Sequence, residues 1–123
     1  MIEGVVNAAY EAVITLPLHG PAGQTREIEA VIDTGYNGFL TLPAAMVAEL
    51  EAPFLGPSRA TLANGAVETF NVHDVTVIWD GQLRDIEADA TGGVSLVGML
   101  LLDGYDLSVQ VRDGGRVAIQ AGE

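Results

Sequence analysis

Val31-Ile32-Asp33-Thr34-Gly35-Tyr36-Asn37-Gly38-Phe39-Leu40-Thr41-Leu42 sets an aspartate and two glycines between two apolar runs. The first run closes a period-two stretch, Thr25 to Ile32, with Ile28, Ala30 and Ile32 on one face and Glu27, Glu29 and Val31 on the other. The second run, Phe39 to Leu42, reads as a short buried strand. A carboxylate at the end of a buried strand is costly unless it is hydrogen-bonded or does chemistry. Two readings are open at this point. Asp33 either caps a tight turn by accepting from the amides of Gly35 or Tyr36, or it is a reactive group.

Working outward, Pro43 suits the first position of a helix running to about Leu50, with Met46, Val47 and Leu50 on its apolar face. Upstream, Tyr10 to Leu16 alternates as a strand, and Pro17 to Gln24 reads as a loop. The second half is built from hairpins. Arg59 to Ala63 and Ala66 to Phe70 flank Asn64-Gly65, a strong type I′ turn signal. Phe70 to Trp79 turns at Asp80-Gly81 into Gln82 to Ala90, and Asp106 to Arg112 pairs with Arg116 to Gln120 across Asp113-Gly114-Gly115. The pattern predicts a mostly antiparallel β domain with one helix and a second short one near Met99 to Leu102.

The 123 residues are 49% apolar and 18% charged, which predicts one domain spanning residues 1–123 and excludes disorder. Seventeen acidic residues stand against five arginines and no lysine, a net charge of −12. Nucleic acid and anionic membranes are therefore not expected as partners, since both demand a cationic patch. Without cysteine there is neither thiol chemistry nor a disulfide framework. The N-terminal residues lack the basic and apolar regions of a signal peptide, and the longest apolar stretch, Leu96 to Leu102, is far short of a bilayer span, so a cytoplasmic location is expected. His19 and His73 show no metal-ligand spacing and read as surface residues; no metal or other cofactor is expected. Ser58, Ser95 and Ser108 lack the Gly-x-Ser-x-Gly elbow of a serine nucleophile. Asp85-Ile86-Glu87-Ala88-Asp89 alternates and reads as the solvated face of a strand, and Trp79 as core or interface.

Asp33-Thr34-Gly35, the glycine-tipped hairpin about 30 residues on, the triplet Leu96-Val97-Gly98 and the closing run from Leu101 to Val109 together resemble the retropepsin-like aspartic proteases. The likeness is to their small prokaryotic single-domain group, which carries Phe or Tyr after the triplet, and it spans Gly4 to Ile119. It implies a mainly β fold, a retropepsin-like closed β-barrel with one or two short helices. It also implies that Asp33 is the catalytic aspartate, that the Thr34 hydroxyl locks two active-site loops together, and that the Gly35 amide approaches the carboxylate. Leu62, Ala63, Asn64, Gly65, Ala66 and Val67 would form the substrate-binding flap. Leu96, Val97 and Gly98 would be the second loop of the ψ-shaped arrangement beneath Asp33. Better-known retropepsins carry Ala or Ser where Tyr36 stands, so its ring is expected to pack beneath the loop as structural support.

Peptide hydrolysis by this chemistry needs two carboxylates sharing one proton. The chain has one Asp-Thr-Gly, and Asp80-Gly81 and Asp103-Gly104 lack the hydroxyl residue between. The second aspartate is expected from a second copy in a C2 homodimer. The function expected is an aspartic-type endopeptidase acting on peptide or protein substrates. The alternative is a catalytically silent dimer of the same fold that binds an extended peptide as an added strand. Apolar Leu62, Ala63, Val67 and Phe39 suggest apolar substrate side chains beside the scissile bond. Dimerisation doubles a charge of −12, so activity is expected to improve in moderate acid or salt.

Overall fold

The computed structural model describes residues 1–61 and 63–123. Strand accounts for 57% of the described residues and helix for 8%, so the mainly β class with two short helices holds. In chain order the elements are β1 (Ile2–Val6), β2 (Ala12–His19), β3 (Thr25–Ile32), β4 (Leu40–Pro43), α1 (Ala44–Glu49), β5 (Phe54–Thr61), β6 (Val67–Trp79), β7 (Gln82–Thr91), β8 (Leu96–Val97), α2 (Met99–Leu102), β9 (Tyr105–Val109) and β10 (Arg116–Ala121).

All ten strands share one sheet in the order β5-β6-β7-β4-β8-β3-β2-β1-β10-β9. An additional pairing of β2 with β6, Leu18 opposite Val77 and His19 opposite Thr76, curls the sheet back on itself. Strands β6, β7, β4, β8, β3 and β2 thereby close a barrel, leaving β5 on one flank and β1-β10-β9 on the other. The alternating strands point Ile14, Leu16, Leu18, Ile28, Ala30, Leu40, Leu42, Val75, Val77, Trp79, Ile86 and Ala88 into the interior. Each fully buried Leu or Ile there contributes about 1.5–3 kcal/mol. Trp79 is core, its ring edge-on to Tyr105 at 5.7 Å between centroids.

Several boundaries differ from those the sequence predicts. Residues 2–6 form β1, a strand whose identity comes from its partners: it is wedged between β2 and β10, both distant in sequence. Tyr10 is not in β2 but in a turn with φ 61°, its amide donating to the Asn7 carbonyl while Asn7 Oδ1 accepts from Ala9 and Glu11. Strand β2 continues through Pro17 to His19, so the loop is shorter than expected. Pro17 lies between the stretch of β2 that pairs with β1 and the stretch that pairs with β6, where that edge has no partner and a missing N–H is tolerated. Pro43 ends β4 and serves as N-cap of α1 rather than its first residue, and Leu50 is the C-cap. Strand β9 stops at Val109, beyond which residues 110–115 turn back onto the end of β1: the Gly114 amide donates to the Val6 carbonyl at 2.8 Å and the Val6 amide to the Gly115 carbonyl at 2.9 Å.

The two turn dipeptides also part ways. Asp80-Gly81 makes a tight two-residue turn, with φ of 52° and 78° and Trp79 opposite Gln82, as a type I′ hairpin requires. At Asn64-Gly65 the register closes with Thr61 opposite Val67, and among the described residues between them only Gly65, at 84°, has positive φ. That connection is therefore longer than the expected type I′ turn. Asn64 Oδ1 instead accepts from the Ala66 amide at 2.9 Å, an Asx turn.

Candidate active site

The apolar pair Val31-Ile32 ends β3 beside β8, running parallel to it, with Val31 opposite Leu96 and Ile32 opposite Val97. Strand β8 also pairs antiparallel with β4 through Leu40 and Val97. Leu96-Val97 is thus threaded between the two strands that the Asp33 loop connects, which is the ψ arrangement. The Asp33 amide donates to the Val97 carbonyl at 2.9 Å, and the Gly98 amide to the Phe39 carbonyl at 3.0 Å. Both ends of the loop are pinned to the same short strand.

Within the loop, the Gly35 amide donates to Asp33 Oδ1 at 2.9 Å, and the Tyr36 amide to the Asp33 carbonyl at 3.1 Å. A turn cap and a reactive carboxylate share this geometry. Asp33 is only partly buried, and Thr34 and Gly35 are exposed. The Thr34 hydroxyl has no hydrogen bond among the described residues and lines a groove of about 370 Å³ with Met99, Leu102, Tyr105 and Leu107. Met99 and Leu100, on the outer side of α2, are each 46% exposed beside the loop.

The Tyr36 ring lies against Gly38 and Gly98. A Cβ on Gly98 would overlap the Gly38 carbonyl oxygen and sit 2.6 Å from Tyr36 Cδ2, so only glycine lets β8 lead into α2 here. The Met99 amide then donates to the Tyr36 carbonyl at 2.8 Å, and the Leu100 amide to the Gly38 carbonyl at 3.2 Å. The Tyr36 hydroxyl reaches in the other direction and donates to Asp89 Oδ2 at 2.5 Å. Burial, and then the bond to the carboxylate, push the Tyr36 phenol far above its usual range. Burial is also the main reason Asp89 is raised; the Tyr36 bond opposes the shift and the nearby charge of Glu87 adds to it.

Three supporting residues were not legible as such. Asp89 reads from sequence as a solvated strand carboxylate, yet it is half-buried because β7 lies between β6 and β4, with Asp89 opposite Val72 and Thr41. A tyrosine on a buried loop does signal that some partner for its hydroxyl exists, without naming it. Thr41 is buried, accepts from the Leu96 amide at 2.8 Å and donates to the Val94 carbonyl at 3.2 Å, clamping β8 onto β4. Arg84 donates to the Leu101 carbonyl at 3.1 Å and lies 5.6 Å over the Phe39 ring, tying α2 to the strand that follows the loop.

The structure brings together Asp33, Thr34, Gly35, Tyr36, Leu96, Val97 and Gly98. It does not join the hairpin tip to them. Ala63, Asn64, Gly65, Ala66 and Val67 are exposed at the end of the β5–β6 hairpin, and no hydrogen bond among the described residues links them to the loop. Leu62 lies outside the described residues. His73 is not a surface residue: its Nδ1 sits 3.0 Å from the Ala52 carbonyl and its ring tilts against Phe54. Asp80 and Asp103 fall at a turn and at the C-cap of α2, the structural positions expected of them. Among the described residues no group of three or more metal-ligating side chains gathers, and no helix is long and apolar enough to cross a membrane.

No family model matches the chain, and no curated protein matches its sequence. Among solved structures the chain is similar to a retropepsin-like aspartic protease from Rickettsia conorii, with 15% identity, a TM-score of 0.59, and coverage of 99% of this chain and 91% of that one. At that identity the likeness speaks for the fold alone, and with the closed barrel and the threaded β8 it makes this a retropepsin-like fold.

Proposed function

We propose that the protein is an aspartic-type endopeptidase, a cytoplasmic hydrolase that works as a C2 homodimer with one Asp33 from each copy. The observation that carries this reading is the loop itself. A lone Asp-Thr-Gly carboxylate stands partly exposed on a glycine-containing loop, its Oδ1 fixed by the Gly35 amide, between two strands of a retropepsin-like barrel that β8 bridges. The exposed Thr34 hydroxyl, the half-exposed Met99 and Leu100 and the adjoining groove supply a margin suited to a second copy.

Two carboxylates face to face cannot both ionise, so one holds a proton that the other lacks. The ionised Asp33 takes a proton from a water whose oxygen attacks the peptide carbonyl carbon. The protonated Asp33 gives its proton to the carbonyl oxygen. The tetrahedral intermediate collapses with cleavage of the C–N bond, the amine leaves with a proton, and the pair returns to its singly protonated state. Gly35 keeps one carboxylate oxygen oriented, Thr34 joins the two loops, and the tip from Ala63 to Val67 covers the substrate. No cofactor takes part.

Sedimentation should show a dimer, and incubation with a denatured protein or a peptide library between about pH 3.5 and 7 should yield cleavage that a transition-state mimic of aspartic proteases blocks. Activity from a monomer would contradict the two-copy site. Peptide retention without cleavage at any pH would select the silent binding module instead.

A further inference from the structure

The Asp33 loop is held from two sides by different means. On one side the bonds are main-chain: Asp33 to Val97, Phe39 to Gly98, Tyr36 to Met99 and Gly38 to Leu100, all on the β8–α2 segment. On the other side a single side-chain bond, Tyr36 to Asp89, reaches across 53 residues of sequence to β7. Because Asp89 lies opposite Thr41 of β4, this bond ties the loop to the sheet just beyond the strand it feeds. Tyr36 is the corner at which both sets of bonds meet, since its carbonyl accepts from α2 and its hydroxyl donates to β7.

We propose that Asp89 is a positioning residue for the Asp33 loop, acting through the Tyr36 hydroxyl. Its effect on turnover rests on the endopeptidase reading, whereas its effect on the loop does not. Nothing else competes for the Asp89 carboxylate: among the described residues no cation forms an ion pair with it. Arg84, on the same strand, is engaged with the α2 carbonyls and the Phe39 ring. Glu87, the nearby acid, repels it and supplies no bond. Among the described residues Tyr36 is accordingly the one side chain that hydrogen-bonds Asp89, and Asp89 the one that holds the Tyr36 hydroxyl. Without the bond the loop would depend on its main-chain bonds to β8 and α2 alone, and those at Tyr36 and Gly38 would open more often, leaving the Asp33 carboxylate free to shift relative to a partner copy. A misplacement of about 1 Å at a reacting group costs on the order of a hundredfold in rate.

The test compares Tyr36→Phe, Asp89→Ala and Asp89→Asn with the wild-type protein, full chain in each case, by amide hydrogen exchange and by peptide-cleavage kinetics. Exchange at the Met99 and Leu100 amides is expected to quicken by about tenfold or more in Tyr36→Phe and Asp89→Ala, with the Val75 and Ile86 amides of the barrel unchanged. Asp89→Asn, which keeps an oxygen acceptor, should restore most of the protection. Turnover should follow the same order, with kcat falling on the order of ten- to a hundredfold and KM little changed. Loop amides as protected as wild type in both Tyr36→Phe and Asp89→Ala would overturn the proposal whatever the kinetics. If the exchange pattern appears while the wild-type protein cleaves nothing, the positioning role stands and the endopeptidase reading falls.

Discussion

The Asp33 loop and the tip of the β5–β6 hairpin are both glycine-containing connections between strands, yet they are bound in opposite ways. Between residues 33 and 39 the loop's main chain is tied to β8 and α2 at four places, and a side chain joins it to β7. From Ala63 to Val67 the one side-chain bond among the described residues is the local Asx bond from the Ala66 amide to Asn64, and Val67 is 61% exposed. The half-buried main-chain groups of the loop are paired with β8 and α2, so the loop is determined many times over, while those at an exposed tip can be satisfied by water. Under the proposed endopeptidase reading, the loop is the fixed floor and the tip the cover that admits a chain.

The largest effect should come at the floor. Asp33→Asn keeps the size of the side chain and an oxygen for the Gly35 amide, so it is expected to abolish cleavage while thermal unfolding stays within a few degrees of wild type. Residual wild-type turnover in the folded variant would move the chemistry elsewhere. Next in size is Gly98→Ala, whose added carbon would run into the Gly38 carbonyl and the Tyr36 ring. A loss of about 2–3 kcal/mol in a denaturant titration is expected, and an unchanged midpoint would refute the close packing of β8 under the loop.

At the tip the same substitution should do less. Gly65→Ala has open space around it but must hold a φ of 84°, a cost of about 1–2 kcal/mol paid locally. KM should respond more than global stability; the reverse result would mean that the tip is part of the rigid frame. The smallest effect concerns pH. Because burial raises Asp89 in the folded chain, folding favours its protonated form. That contribution is full below the ordinary aspartate value of about 3.9 and is lost as pH rises through the higher folded value. Asp89→Asn, which has no charge to bury, should therefore gain stability relative to wild type as pH climbs from about 4 toward 7. A difference that is constant over this range would show that the carboxylate is not desolvated.

What could be read from the chain beforehand follows the range of the interactions. Alternation and turn residues are local, so the β6–β7 hairpin at Asp80-Gly81, the strand ending at Ile32 and the short helix at Met99 were all legible. The Leu96-Val97-Gly98 triplet was recognisable as a neighbour for Val31-Ile32 because both are short apolar runs ending at a loop. Strand β1 was not, since five residues with a glycine become a strand only between β2 and β10. Pro17 looked like a strand end because the gap between two partners of β2 is a property of barrel closure. Asp89 and Thr41 hid for the same reason: their importance depends on a parallel register between β4 and β7 that no local pattern encodes.

The central claim is that one chain carries half of an active site, and subunit mixing tests it most directly. A fixed amount of wild-type protein is equilibrated with increasing Asp33→Asn protein, and peptide cleavage is followed. If each site needs an Asp33 from both copies, activity falls toward zero as wild-type chains are drawn into mixed dimers. Activity that stays constant at a large excess of the variant would show that a single chain cleaves alone, and would contradict the account.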